Sequence, residues 1–302
     1  RPRVVALLYT MLLLGLIVSS AVYGLLLQNF SPLRLIQVIQ GSAVGVLVFN
    51  LMALWKQEAR QQARGQREEG GFGRHWRELM AEPQMRRFLW ATGLGSCAFG
   101  MQDIVLEPYG AQVLGLGVGA TSGLTAVAAL GSLLAFGLSA RVMNQRIGAC
   151  GLGGLGAVIG LVAFALVIFS APLQSVALFK TGVLLVGFGS GLFSVGMLVN
   201  AMTYGDGRLS GLALGAWGAV QATSAGVAMA LGGLLRDGVD ALAQSGRLGE
   251  VLQSPVTGYS FVYHLEMYML LTVLIALGPM ARRGMNRMPS SSTRFGLAEL
   301  PS

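Results

Sequence analysis

The chain has 302 residues, of which 54% are hydrophobic and only 11% charged, less than half of the roughly 25% charge a water-facing globular domain carries. That balance excludes disorder, a small disulfide scaffold and a nucleic-acid-binding domain, despite a formal net charge of +8. Forty-four glycines, about twice the usual ~7%, suit helices that approach closely in a membrane. The composition is that of a polytopic helical membrane protein.

Eight apolar runs are each long enough for the ~30 Å hydrocarbon core, which takes roughly 20 helical residues. They lie near 4–27, 35–55, 87–108, 119–140, 149–171, 175–200, 209–235 and 261–281. A β-barrel is excluded, because the runs are apolar throughout rather than alternating. The chain opens at Arg1, and residues upstream of it are expected. The first run is too long for the h-region of a cleavable signal peptide.

After the second run, residues 56–86 form a charged segment with Lys56, Arg60, Arg64, Arg67, Arg74, Arg77 and five glutamates. Within it, residues 75–80 predict a short helix on the membrane surface, with Trp76, Leu79 and Met80 on one face; His75 reads as solvated. The third run ends in Gly100-Met-Gln-Asp-Ile-Val-Leu-Glu-Pro-Tyr-Gly110. Asp103 and Glu107 stand four apart on one helical face that Pro108 is expected to end. Carboxylates at membrane depth are costly and face a cavity, a cation or a ligand; the alternative is a hydrated pair near the interface, with Pro108-Tyr109-Gly110 as a turn.

Between the fourth and fifth runs lies a basic link, Arg141-Val-Met-Asn-Gln-Arg146. Gly151-Leu-Gly-Gly-Leu-Gly156 matches a dinucleotide-binding pattern, but no strand precedes it and apolar residues surround it. With Gly160 it reads as a close-packed helix face, as do Gly187/Gly191 and Gly211/Gly215. Lys180, the only lysine inside a run, either snorkels to the headgroups or pairs with Asp103 or Glu107. Asn200, Gln221, Thr223 and Ser224 read as helix-to-helix hydrogen bonders. Cys97 and Cys150 fall inside apolar runs and read as small hydrophobes.

A milder polar segment covers 236–260. His264 and Glu266 open the last run behind Tyr259 and Tyr263. His264 is either an interfacial histidine in an aromatic belt or a ligand to the metal of a tetrapyrrole. Eight spans place seventeen cations on one side and three (Arg34, Arg236 and Arg247) on the other. The positive-inside rule makes the cation-rich side, with the C-terminus, cytoplasmic. Beyond membrane lipid the charge implies no partner, and no nucleic acid. No Ser/His/Asp or Cys/His set, Walker loop or soft-metal cluster is present, and nothing argues for an enzyme.

Two helices, a long basic loop and six more helices look like the last eight of twelve in a major facilitator superfamily bundle. On that reading residues 1–55 are the last two helices of the N-terminal half. Residues 56–86 are the cytoplasmic inter-half loop, 87–283 the six-helix C-terminal half and 284–302 a cytoplasmic tail.

Gln102-Asp-Ile-Val-Leu-Glu-Pro-Tyr-Gly-Ala-Gln-Val-Leu-Gly115, running on through Val118 to Ala126, closely resembles the PucC/LhaA family. Gly258-Tyr-Ser-Phe-Val-Tyr-His-Leu-Glu266 and Ile275-Ala-Leu-Gly-Pro279 resemble it too. These are facilitator-fold proteins of phototrophic bacteria, also called the bacteriochlorophyll delivery family. The resemblance implies an antenna assembly factor in the intracytoplasmic photosynthetic membrane, an extension of the inner membrane. It would bind or deliver bacteriochlorophyll, or a carotenoid or precursor pigment, to light-harvesting polypeptides. The reaction centre–core antenna complex and bacteriochlorophyll synthase are further partners it suggests. A chlorin needs a greasy groove and one axial ligand to its magnesium, a hard ion that accepts oxygen or imidazole. Gln102, Asp103, Glu107 and Tyr109 are expected to form the polar end of that groove, with Glu107 or His264 as the axial ligand. The competing readings are a pigment-free scaffold for antenna helices and a proton-coupled solute transporter. In the latter Asp103 and Glu107 would carry protons and Lys180 would be their counter-ion.

Overall fold

A computed structural model describes residues 2–29, 31–54, 72–142, 148–204 and 209–285. The expected loop between 55 and 71, the basic turn at 143–147 and the tail from 286 lie outside the described residues. The described residues form nine α-helices and no strand: α1 (Pro2–Leu26), α2 (Pro32–Leu54), α3 (Phe72–Ala81), α4 (Pro83–Gln112), α5 (Val118–Val142), α6 (Ala149–Ser170), α7 (Val176–Thr203), α8 (Ser210–Gln244) and α9 (Val256–Met285). A 3-10 turn, Glu250–Leu252, precedes α9.

Each of the eight apolar runs is one long helix, and the short amphipathic helix is α3. Leu79 of α3 is buried, and Trp76 and Met80 pack against the core. Six helices, α2 and α5 to α9, contain a stretch long and apolar enough to cross a membrane. The molecule is therefore a multi-pass membrane protein. Of the other two long helices, α4 spans about 45 Å at 1.5 Å per residue but carries Arg86, Arg87, Asp103 and Glu107.

Three expected boundaries are corrected. Pro108 lies inside α4, which runs on to Gln112; the missing N–H removes one ladder bond, which transmembrane helices absorb. The turn comes later, at 113–117, where Gly115 adopts a left-handed φ of 66° and the Leu116 N–H donates to the Gly110 carbonyl at 3.0 Å. The second polar segment is mostly helix: α8 continues to Gln244 and α9 begins at Val256. His264 and Glu266 therefore lie in the third turn of α9 rather than at its opening.

Glycine sets the closest helix pairs. Along α6 and α7, a Cβ on Gly156 would come within 2.5 Å of the Gly189 carbonyl, and one on Gly196 within 2.5 Å of the Gly153 nitrogen. Gly160 faces Phe99 and Leu270. Along α5 and α7, a Cβ on Gly187 would collide with the Ala128 carbonyl, and one on Gly191 would reach Ala135 at 2.9 Å. Gly211 and Gly215 are a correction, since among the described residues nothing stands within 4 Å of a Cβ at either position. In the centre, Phe99, Tyr109, Phe164, Phe179, Phe193, Tyr259 and Tyr263 form one aromatic core. Tyr109 meets Phe179, Tyr259 and Tyr263 at ring distances of 5.4, 5.5 and 5.5 Å.

At the end of the bundle away from the cation-rich face, Arg236 of α8 joins three helices. It donates to Asp237 at 2.6 Å, to Gln112 of α4 at 2.6 Å and to the Tyr259 hydroxyl of α9 at 2.8 Å. Its guanidinium also lies 4.4 Å from the centre of the Tyr259 ring.

Candidate functional site

The α1–α5 seam positions the site. Gly24 and Gly119 let the two backbones touch, with a Cβ on Gly119 falling 2.7 Å from the Gly24 carbonyl. Ser20 bridges the same seam, donating to the Ser122 carbonyl and accepting from the Ala126 N–H at 3.1 Å. The Tyr23 hydroxyl donates to Ser42 of α2 at 2.8 Å. Beneath these contacts lies a groove of about 470 Å³ between α1, α2, α4 and α5. Its walls are Leu16, Leu27, Leu35, Val38 and Ile39, with the hydroxyls of Ser19, Ser20, Tyr23, Ser42, Ser122 and Thr125 set among them. One ionisable carboxyl enters it: Glu107, half-buried, whose Oε1 accepts from the Thr125 hydroxyl at 2.9 Å.

This geometry fits a magnesium chlorin in kind. A hard cation takes carboxylate oxygen, and Thr125 fixes the Glu107 rotamer as a supporting residue does in a metal site. The apolar walls suit the macrocycle and its isoprenoid tail. A second cavity of about 470 Å³ lies between α4 and α8, lined by Leu89, Trp90, Leu94 and Val220 with Arg86 at one side. It offers a cation, the Cys97 thiol and the Ser224 hydroxyl but no carboxylate or imidazole, a poorer donor set for magnesium than the Glu107 groove.

The four residues expected to cluster are divided by the structure. Glu107 alone lines the groove. Tyr109 is 1% exposed and its hydroxyl is satisfied by the Val167 carbonyl at 3.0 Å and Ser170 at 3.2 Å, so it packs the core and does not face a ligand. Gln102 is buried and its amide donates to Asp103, which is exposed one turn from Glu107 and outside the groove lining. Lys180 is exposed near the start of α7, and among the described residues no ion pair joins it to either carboxylate. The pairing reading is corrected in favour of a side chain reaching the surface.

His264 lies elsewhere, on an exposed face of α9 with Phe261, Tyr268, Leu271 and Ile275. Its Nδ1 lies 2.6 Å from the Ser260 carbonyl. A neutral ring donating there leaves the Nε2 lone pair directed outward. Sequence reasoning gave no role to Glu266, which is 0% exposed and has no side-chain hydrogen-bond partner among the described residues.

The family model described as PUCC protein matches residues 1–285. The chain belongs to the PucC family. It is 49% identical over 244 residues to protein PucC of Rhodovulum sulfidophilum, covering 79% of this chain and 54% of that one. It is 44% identical to a protein of the puhA-bchM intergenic region of Rhodobacter capsulatus, covering 100% and 64%. A more distant relative, 28% identical over 96% of this chain and 67% of its own length, is the bacteriochlorophyll synthase 44.5 kDa chain of Rhodobacter capsulatus. The chain thus spans about half to two thirds of the length of these relatives. Among solved structures it resembles a bacterial homologue of the human lysosomal transporter Spinster in an inward-facing, unoccupied conformation. The TM-score is 0.61 at 17% identity, over 90% of this chain and 67% of that one. That likeness gives the fold, a major facilitator-type bundle.

Proposed function

We propose that this member of the PucC family takes part in assembling light-harvesting complexes. In this reading it binds bacteriochlorophyll and hands it to antenna polypeptides in the photosynthetic membrane, with its cation-rich face and C-terminus in the cytoplasm. The observation that carries the proposal is the groove of α1, α2, α4 and α5, apolar on its sides and holding Glu107 as its one carboxyl. The family, and a relative whose name contains bacteriochlorophyll synthase, support the choice of pigment. The role is non-catalytic: the family and the transporter-type bundle support binding and transfer rather than bond-making. The α1–α2 pair would belong to the N-terminal half of the complete bundle and α4–α9 to the C-terminal half. The groove would then lie where the two halves meet.

When bound, the pigment would supply the magnesium and the extended apolar surface. The chain's part is to offer an oxygen from Glu107 held by Thr125, to exclude water with leucine and isoleucine, and to leave one side open toward the acyl chains. His264, exposed on α9 with its Nε2 free, is a second ligand position on a different face. The test is complementation of a host lacking the protein. Glu107→Ala is expected to leave the protein in the membrane at normal abundance while antenna assembly falls at least fivefold. Normal assembly with Glu107→Ala and Asp103→Ala combined would rule the groove out as the pigment site.

A further inference from the structure

The cavity between α4 and α8 has no part in the pigment reading. Its lining follows one face of α4 from Arg86 to Cys97 and meets Val220 and Ser224 of α8, with Met80 contributed by α3. Cys97 stands eleven residues beyond Arg86, or about 16 Å at ~1.5 Å per residue. That is the depth of one leaflet, half of the ~30 Å hydrocarbon core. At the inner end the Cys97 thiol donates to the Ser224 carbonyl at 3.4 Å, which ties α4 to α8 there. Partway along, a Cβ on Gly93 would stand 3.2 Å from the Ser224 hydroxyl and 3.4 Å from Val220. The slot keeps its width at that level because position 93 carries no side chain.

The charge lies at one end. Arg86 is the only charged side chain in the lining, and no carboxylate enters it. Arg86 is exposed, and among the described residues no ion pair engages it. Arg87 and, on α3, Arg74 and Arg77 are exposed at the same end, as are Glu78 and Glu82 outside the lining. Trp90, one turn beyond Arg86, is 72% exposed, and tryptophan collects at the level of the headgroups. The helix α3 is joined to α4 through Glu82 alone, buries Leu79, and leaves Phe72 exposed and stacked on Trp76 at 6.0 Å. An amphipathic helix of this kind suits the plane of the membrane surface, beside the charged end of the slot.

A soluble anion would meet Arg86 but leave the apolar slot unfilled, and an uncharged chain would fill the slot but leave Arg86 unpaired. A molecule with an anionic head and a straight apolar tail uses both, and the membrane itself supplies it. We propose that the cavity of α3, α4 and α8 is a binding site for one anionic phospholipid. Its phosphate pairs with the Arg86 guanidinium, whose planar fork matches phosphate oxygens. One acyl chain lies along Leu89, Gly93, Leu94 and Val220 and ends near Cys97 and Ser224. Basic pockets between membrane helices select anionic headgroups in this way. The bound lipid packs the gap between α4 and α8, on the helix that also carries Glu107. The site shares no lining residue with the Glu107 groove and does not depend on the pigment reading.

The test is native mass spectrometry of the full-length protein, delipidated in mild detergent and titrated separately with phosphatidylglycerol and phosphatidylcholine. One phosphatidylglycerol is expected to be retained under conditions that strip phosphatidylcholine. Arg86→Gln should weaken its retention about fivefold or more, the worth of one interfacial arginine, and bring it toward that of phosphatidylcholine. Gly93→Leu, which fills the slot, should lower retention of both lipids. Arg86 is exposed, so Arg86→Gln keeps the fold and the test stands should Gly93→Leu fail to fold. Equal retention of the two lipids by the wild type, or phosphatidylglycerol retention unchanged in Arg86→Gln, would overturn the site. Phosphatidylglycerol brominated on its acyl chains should quench the Trp90 emission, obtained by difference from Trp90→Phe. Unquenched emission would mean that protein covers the slot, and displacement of the lipid by bacteriochlorophyll would make it a second pigment position. Either result would overturn the proposal.

Discussion

Glu107 and Glu266 are both glutamates within membrane-depth helices, and their neighbours separate their chemistry. Glu107 is half-buried beside a hydroxyl donor in a groove, so it can present an oxygen to something that arrives. Glu266 is 0% exposed at the α4–α9 seam and has no opening through which a ligand could reach it. The Thr125 hydroxyl fixes the Glu107 carboxylate, and supporting residues of this kind are typically worth 10–100-fold in metal affinity. Thr125→Val is therefore expected to lower pigment retention by about tenfold with no change in expression, measured as pigment per protein after detergent washing. Unchanged retention would mean that Thr125 does not orient the ligand. The sequence marks Glu107 as out of place in a run of apolar residues, but the partners it meets on α1 and α2 are set by tertiary packing. Glu266 was given no role for a different reason. The last apolar run begins at 261 in the sequence, which puts Glu266 at an interface, whereas α9 begins at Val256 and places it ten residues into the helix.

At the scale of the helices, apolar length predicts eight long elements because a membrane span has one length requirement and one composition. Ends are less legible. The end of α8 is amphipathic rather than apolar, so hydropathy stops near 235 while the helix goes on to Gln244. Pro108 looks like a stop because its cost is reckoned for an isolated helix, and neighbouring helices support α4 beyond it. Glycine spacing likewise marks a helix face without saying whether a partner covers it. Gly187 and Gly215 make the comparison. At Gly187 any side chain would strike the Ala128 backbone, whereas Gly215 has open space. Gly187→Leu is expected to cost about 3 kcal/mol or more and to remove the monodisperse peak on size-exclusion chromatography. Gly215→Leu should stay within about 0.5 kcal/mol of wild type. Equal behaviour of the two variants would mean that the α5–α7 seam is not set by glycine contact.

For the whole molecule, α1 joins the bundle mainly through α5, by the Ser20 and Gly24–Gly119 contacts, and α2 meets α1 through the Tyr23–Ser42 hydrogen bond. The groove forms at this junction. Arg236 ties α4, α8 and α9 together through Gln112 and the Tyr259 hydroxyl. The groove was not readable from sequence, because residues on α1 and α4 that share it are about ninety positions apart.

The most direct measurement of the central claim is an absorption spectrum with pigment extraction, on the full-length protein purified in mild detergent from a phototrophic host. The expected result is a stoichiometric bacteriochlorophyll band that is lost in Glu107→Ala and retained in His264→Ala. A band lost only in His264→Ala would move the pigment to the exposed face of α9. A colourless protein that still co-purifies antenna polypeptides would contradict the account and make the molecule a scaffold.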